Sequence, residues 1–411
     1  MPAQTIETEI CIIGAGPAGA TTARTLALMG IPNLIVDAES FPRDKICGDG
    51  LDLKVFRVLR HLDPAFDPAE FFTNAAVQPA WGARFITPAG QACDYAYLPR
   101  SGEPPYPLFG VARRRDFDHY LVQKFDPRFT SFRPGTRVVR VIRDNRGWRI
   151  LAYNADGELE IRTPLLVGAD GDRSVVLRSL GLRKIDRQHY AGTLRQYWQG
   201  MSGIHPQNLI EVYFPAGLPM SYLYIFPLPG GQANVGYGMV SSVAARGNHR
   251  LRAIFQRLLR EDPVLAPRFE GAKPLESPAA WGLPLASLRR RASGNGYLLV
   301  GDAASLICPT TGEGIGTGMM SGYIAAHFLQ KALRLKRADA AVFDGYDREI
   351  YRRLNTEIRQ YNILRRFLPA PVYEWGLSRA IPTALLQTFF QRQAGGWLRT
   401  AYERPIEVRL G

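Results

Sequence analysis

Gly14-Ala15-Gly16-Pro17-Ala18-Gly19 is the stretch whose spacing most directly implies chemistry. The first glycine permits a tight turn, the second lets backbone approach a pyrophosphate, and the third lets a helix pack on a strand. The preceding run EICIIG reads as a buried parallel strand. Pro17 to Met29 reads as a helix, with proline in its first turn and Gly30 beyond its end. A strand from Asn33 to Val36 follows and ends at Asp37, where a carboxylate can accept from ribose hydroxyls. A lone match to this spacing is weak. Here it opens a β-α-β unit of about 30 residues whose helix start offers free amides to phosphates. The unit predicts a bound dinucleotide and leaves open whether nicotinamide or flavin.

Two further groups suggest what the nucleotide would do. Gly312, Gly314, Gly316 and Gly318 form a loop able to press backbone against a planar ring, with amides that stabilise negative charge. Tyr222, Tyr224, Phe226 and Tyr237 are spaced so that alternate side chains share one face of a strand pair, an aromatic wall suited to a long apolar ligand. Core packing is the competing reading for each ring. Cys47 sits in a Gly/Asp turn, where it is either a small packed side chain or a proton source beside the substrate. The other cysteines, at 11, 93 and 308, form no CxxC pair and no Cys/His cluster of zinc spacing. No metal site and no disulfide framework is therefore read, and a reducing compartment is expected.

The elements that must position these residues follow from patterning. A helix is expected from Asp52 to His61 and another from Phe117 to Phe125. Val138 to Ile142, Arg149 to Tyr153 and Leu159 to Ile161 alternate like antiparallel strands, with Asp156-Gly157 as a hairpin turn. Leu165 to Val167 and Tyr297 to Val300 read as further buried strands, each running into a Gly/Asp turn. Residues 73–109 and 187–240 are strand-rich, Arg250 to Glu261 reads helical, and the chain after Ile315 is largely helical.

The turns after those two strands carry a family resemblance. Val167-Gly168-Ala169-Asp170-Gly171-Asp172-Arg173-Ser174 resembles the Asp-Gly motif of the para-hydroxybenzoate hydroxylase-type flavoproteins. Gly301-Asp302-Ala303-Ala304 resembles their second flavin motif. Phe41-Pro42-Arg43-Asp44-Lys45-Ile46-Cys47-Gly48-Asp49-Gly50, the run Arg114 to Asp118, and Tyr222 to Pro227 followed by Gly236-Tyr237-Gly238 are similar to the geranylgeranyl reductase branch. So is Pro309-Thr310-Thr311-Gly312-Glu313-Gly314-Ile315. Tyr224 stands where that branch usually has tryptophan, which bears on pocket width. The resemblance implies FAD as cofactor, held by Gly14, Gly16, Ala18, Gly19, Asp37, Arg43, Cys47, Gly48, Arg114, Asp170, Gly301, Asp302, Gly312, Gly314 and Ile315. It implies hydride transfer from flavin N5 to a carbon–carbon double bond of a prenyl or polyene lipid, with NADPH or NADH as donor. Cys47, Tyr224, Gly312 and Gly314 would act in catalysis, and Tyr222, Tyr224, Phe226 and Tyr237 would contact substrate.

The expected class is α/β: a Rossmann-type FAD-binding domain of residues 1–72, 110–185 and 286–330, interleaved with an antiparallel-sheet substrate domain of 73–109 and 186–285. A C-terminal helical region, 331–411, completes it. That region holds 15 basic and 8 acidic residues, about half of the chain's net charge of +14. Its stripe Tyr346, Ile350, Leu354, Ile358, Tyr361, Leu364 and Leu368 either docks on the protein or meets an anionic membrane surface. Without an apolar leader or spanning segment, the expected location is cytoplasmic, peripheral on the inner membrane face. No zinc finger, RNP-like aromatic motif or long lysine tract points to nucleic acid. A flavin monooxygenase, an enzyme acting on an acyl carrier protein's cargo and a non-catalytic flavin protein stay open as rivals. A halogenase is disfavoured because Trp-x-Trp-x-Ile-Pro is absent.

Overall fold

The computed structural model describes residues 4–74, 76–99, 101–102, 105–367, 375–379 and 384–410. A six-stranded sheet lies at its centre, in the order Ser293–Gly294, Tyr297–Leu299, Leu165–Gly168, Ile10–Ile13, Asn33–Val36, Thr130–Arg133. All its pairings are parallel except the first. Such strands are buried on both faces, which is why they read as unbroken apolar runs. Because they are parallel, the turns after Ile13, Val36, Gly168 and Leu299 meet at one edge of the sheet. Motifs nearly three hundred residues apart in the chain thereby become neighbours.

The fingerprint helix Pro17–Leu28 packs along the long helix Ile315–Leu335. Glycine makes this approach possible: a Cβ at Gly322 would overlap the Ala18 carbonyl, and Gly318 lies against Gly301. A second, four-stranded sheet joins Gln4–Glu7 to the meander Arg137–Asp144, Gly147–Asn154 and Gly157–Thr163.

The largest sheet runs Lys273–Pro274, Tyr190–Gln199, Gln232–Val240, Ser221–Leu228, Ile210–Tyr213, Gly82–Ile86, Ala92–Ala96, with Ala279–Pro284 also on Tyr190–Gln199. One face is covered by the helix Leu251–Glu261, whose Ile254, Phe255, Leu258 and Leu259 join Leu223, Ile225, Val235 and Met239 in a separate core. The other face looks toward the parallel sheet's nucleotide edge. Two strands of the 73–109 stretch pair elsewhere: Gln78–Ala80 and Phe109–Val111 join Gly50–Leu51 in a small three-stranded sheet.

The C-terminal stripe is divided between two helices, Ala340–Arg353 and Asn355–Phe367, which break at Leu354. Tyr346, Ile350, Leu354, Ile358 and Tyr361 are all buried against the body, and the Tyr346 hydroxyl donates to the Leu299 carbonyl at 2.7 Å. That part of the stripe is a docking face within the protein. Leu368 and the side chain of Leu364 fall outside the described residues. The last helix, Ala384–Glu403, packs on Leu53–Leu62, stacking Tyr402 on Phe56, and sets Phe390 against Tyr95.

Candidate functional site

Between the nucleotide edge and the open face of the large sheet lies a cavity of about 440 Å³. At its nucleotide end Gly14 has a φ of +103°, and a Cβ there would lie 2.7 Å from the Ala169 carbonyl carbon. A Cβ at Gly19 would overlap the Gly14 carbonyl, so the third glycine closes helix on turn as its spacing implies. Gly16 differs. A Cβ there would meet nothing nearer than the guanidiniums of Arg43 at 3.7 Å and Arg114 at 3.8 Å. The site therefore offers free space at a helix start flanked by two cations, which fits a pyrophosphate.

Both cations are held by one buried carboxylate. Asp118 accepts from Arg114 Nε and Nη2 at 2.6 Å each and lies 2.8 Å from Arg43. Burial pushes the Asp118 carboxyl up, but the two guanidiniums outweigh it and hold it below the usual range. Asp37 ties the second strand to the fingerprint, accepting from the Ala15 amide at 2.7 Å and the Glu39 amide at 2.9 Å. Asp302 is the second residue of the turn Gly301–Ala304, lines the cavity and sits 3.7 Å from Lys45.

The Cys47–Gly50 segment and the Pro309–Ile315 loop line the cavity from one side, and the strand Ser221–Leu228 from the other. The alternation of that strand brings Tyr222, Tyr224 and Phe226 onto one face. Each ring meets a glycine across the cavity. A Cβ at Gly48 would lie 3.4 Å from Tyr224, one at Gly50 would lie 3.0 Å from Phe226, and one at Gly312 would overlap the Tyr222 hydroxyl. That hydroxyl donates to the Thr311 carbonyl at 2.7 Å. Gly236 on the neighbouring strand is paired with Tyr224, and a Cβ there would overlap the phenol. The first glycine of Gly236-Tyr237-Gly238 thus gives Tyr224 room to lie across the sheet.

Tyr237 is a correction. It pairs with Leu223, not with Tyr222 or Tyr224, so it projects from the opposite face and is fully buried beside Phe255. The register decided this; spacing within two separate strands left it open. Asp170 is placed differently as well. It does not line the cavity but accepts from the Val175 and Val176 amides at 2.7 and 3.2 Å, shaping the Asp-Gly turn from behind. Gly14, Gly19, Asp37 and Arg43 likewise build the cavity without lining it, while Gly16, Ala18, Cys47, Gly48, Arg114, Tyr222, Tyr224, Phe226, Gly301, Asp302, Gly312, Gly314 and Ile315 line it.

Motif reading missed a set of buried and half-buried polar groups. Asp49 is fully buried with a φ of +66°. Its carboxyl meets the Tyr197 hydroxyl and Asn234 Nδ2, each at 2.7 Å, and the Arg114 amide at 3.3 Å. Burial raises it to about 6, against the opposing pull of these donors. Arg195, buried at the cavity edge, stacks over Tyr197 and is paired with Asp44 and Glu276. Glu313 and Asp52 flank Lys54 where the loop enters the long helix. The sequence signal for Asp49 and Glu313 is their place inside the quoted motifs, beside the glycines. Cys11, Cys93 and Cys308 are all buried, and Cys47 is partly exposed to the cavity.

Residues 7–359 match the FAD binding domain family. The chain belongs to the FAD-dependent oxidoreductases, in their geranylgeranyl reductase branch. It is 30% identical over 329 residues to the menaquinone reductase of Mycolicibacterium smegmatis, covering 78% of this chain and 76% of that protein. It is 29% identical over 331 residues to the digeranylgeranylglycerophospholipid reductase 2 of Methanococcoides burtonii, covering 79% and 75%. Among solved structures, a geranylgeranyl bacteriochlorophyll reductase-like protein of Thermoplasma acidophilum shares the fold with a TM-score of 0.80 over 97% of both chains, at 21% identity. A flavin-dependent brominase shares it at 0.75 over 95% and 94%, with 19% identity. The fold is thus common to reductases and halogenases.

Proposed function

We propose that this protein saturates carbon–carbon double bonds of a prenyl or polyene lipid. The observation that carries this reading is the cavity wall. Strand by strand it presents Leu283, Ala191, Gly238, Tyr222, Val212 and Phe85 toward the nucleotide edge. Six neighbouring strands at about 4.8 Å spacing make an apolar wall roughly 24 Å wide, enough for several isoprene units. The relatives named as reductases of menaquinone and of digeranylgeranylglycerophospholipid support the same substrate class.

The chemistry FAD would supply when bound is the hydride for one alkene carbon. The chain's own part is to hold both reactants and exclude water. Arg43 and Arg114 would hold the pyrophosphate of FAD, Asp37 and Asp302 its sugar and ribityl hydroxyls, and the Gly312 and Gly314 backbone its ring. Tyr222, Tyr224 and Phe226 press the alkene toward it, with Cys47 alongside. The electron donor is a reduced nicotinamide, NADPH or NADH, that visits transiently. The lipid is taken from a bilayer surface on which Trp375 and Phe389, 60% and 56% exposed, and nearby arginines of the C-terminal helices rest.

The test is anaerobic. The protein is reduced, mixed with a cell lipid extract, and followed by flavin absorbance and lipid mass spectrometry. Reoxidation without oxygen, matched by lipids heavier by two hydrogens, is expected. Flavin that stays reduced until oxygen enters, with products gaining one oxygen, would transfer the protein to the monooxygenase class.

A further inference from the structure

Where the glycine loop enters the long helix, the cavity wall holds a charged cluster. Asp52 caps the helix Leu53–Leu62, its Oδ1 accepting from the Lys54 and Val55 amides at 3.1 and 3.2 Å. Its Oδ2 lies 3.0 Å from Lys54 Nζ, which reaches Glu313 Oε2 at 3.5 Å. A Cβ at Gly316 would overlap Asp52 Oδ1, so glycine there lets the carboxylate sit against the start of the long helix. Asp52 and Glu313 both line the cavity. Tyr222 stands over the loop, Asp302 Oδ1 would lie 3.4 Å from a Cβ on Gly314, and Cys308 sits behind with its Sγ 3.2 Å from Thr310 Oγ1.

Saturating an alkene requires a proton as well as a hydride. The donor must keep its proton at neutral pH and tolerate the charge left behind. Burial, with Asp52 beside it, pushes the Glu313 carboxyl up from the usual carboxylate range, while Lys54 pulls the other way. The shift favours the proton-bearing carboxyl, and the Lys54 ammonium 3.5 Å away is placed to hold the carboxylate left after transfer. The tyrosines are worse acids: burial holds Tyr222 and Tyr224 above the ordinary phenol value, and the Tyr222 proton is engaged with Thr311.

Resting on the alkene-reductase reading, we propose that Glu313 is the acid that protonates the second alkene carbon, with Lys54 holding the carboxylate it leaves. The alkene π pair forms the new C–H bond to this proton while the hydride brings its own pair to the other carbon. The O–H pair stays on Glu313, and water returns the proton.

The FAD-loaded protein and its Glu313→Gln, Glu313→Asp and Cys47→Ser variants are reduced under nitrogen and mixed with a twenty-carbon prenyl ether of glycerol. Flavin content and probe affinity, read from difference spectra of the oxidised protein, should match wild type in the two Glu313 variants and are measured in Cys47→Ser to normalise its rate. Reoxidation should slow at least 100-fold in Glu313→Gln and recover in part in Glu313→Asp. The wild-type rate should fall as pH rises through the carboxyl's pKa, a limb missing from Glu313→Gln. A protonated-carboxyl infrared band at neutral pH should vanish in Glu313→Gln, a readout independent of turnover. A Glu313→Gln rate within threefold of wild type with the same alkaline limb overturns the assignment, and loss confined to Cys47→Ser moves the acid to Cys47. Wild type that binds the probe, keeps the infrared band and is not reoxidised sinks the reductase reading itself, and the role of Glu313 with it.

Discussion

Two buried carboxylates show how much of this site depends on single charges. Asp118 is the common anchor of Arg114 and Arg43. Removing one partner of a buried pair leaves the other uncompensated, at a cost of about 3–5 kcal/mol. Asp118→Asn should therefore lower the stability of the apoprotein by that order in urea melts, and should lower flavin content on purification. Normal values of both would show that the arginines are positioned by something else. Asp49 makes the opposite case. Its carboxyl is raised to about 6 in the fold, from 3.8. The folded chain thus binds this proton more tightly than the unfolded chain. The contribution is full below about pH 4 and is lost as pH rises to about 6, a change on the order of 3 kcal/mol. Asn tolerates the left-handed backbone at this position and mimics the neutral acid. Asp49→Asn should be more stable than wild type above pH 6, with the difference shrinking toward pH 4. A difference constant across that range would mean that Asp49 does not titrate there.

At the scale of elements, the strand Ser221–Leu228 does its work through glycines on its neighbours. Gly236 leaves room for the Tyr224 ring, and a Cβ there would also fall 2.5 Å from the Leu194 carbonyl oxygen. Both collisions are with parts that cannot swing aside freely. Gly236→Ala should cost about 1–3 kcal/mol by overpacking and should push Tyr224 into the cavity. Binding of a long alkyl probe, followed through the flavin spectrum, should weaken more than tenfold while FAD stays bound. Unchanged probe binding would show that Tyr224 does not set the width of the cavity. The helix pair Pro17–Leu28 and Ile315–Leu335 uses the same device, with Gly322 against Ala18.

For the whole molecule the question is where an apolar substrate enters. The C-terminal helices bury their main stripe yet leave Trp375, Phe389 and Trp397 exposed, on a region rich in arginine. If these rings rest in a lipid interface, the protein should float with vesicles containing anionic lipid and not with neutral ones. Flotation should weaken as salt screens the arginines, because the Debye length shrinks to about 3 Å at 1 M. Equal flotation with neutral vesicles, or none with either kind, would exclude this electrostatic form of docking.

Local order was legible in the sequence. The fingerprint Gly14 to Gly19, the strands Ile10–Ile13 and Asn33–Val36, the helix after Asp52 and the hairpin at Gly157 follow from periodicity, proline and glycine, which act within a few residues. The quoted motifs also carried the family. Whatever depends on contact across the chain was decided only by the tertiary structure. Strand register turned Tyr237 away from the cavity while keeping Tyr224 facing it. Packing, not composition, made the stripe from Tyr346 to Tyr361 interior. The charge states that matter, those of Asp49, Asp118 and Glu313, arise from burial and partners supplied by distant segments. A carboxylate's neighbours in sequence do not reveal how much water it keeps.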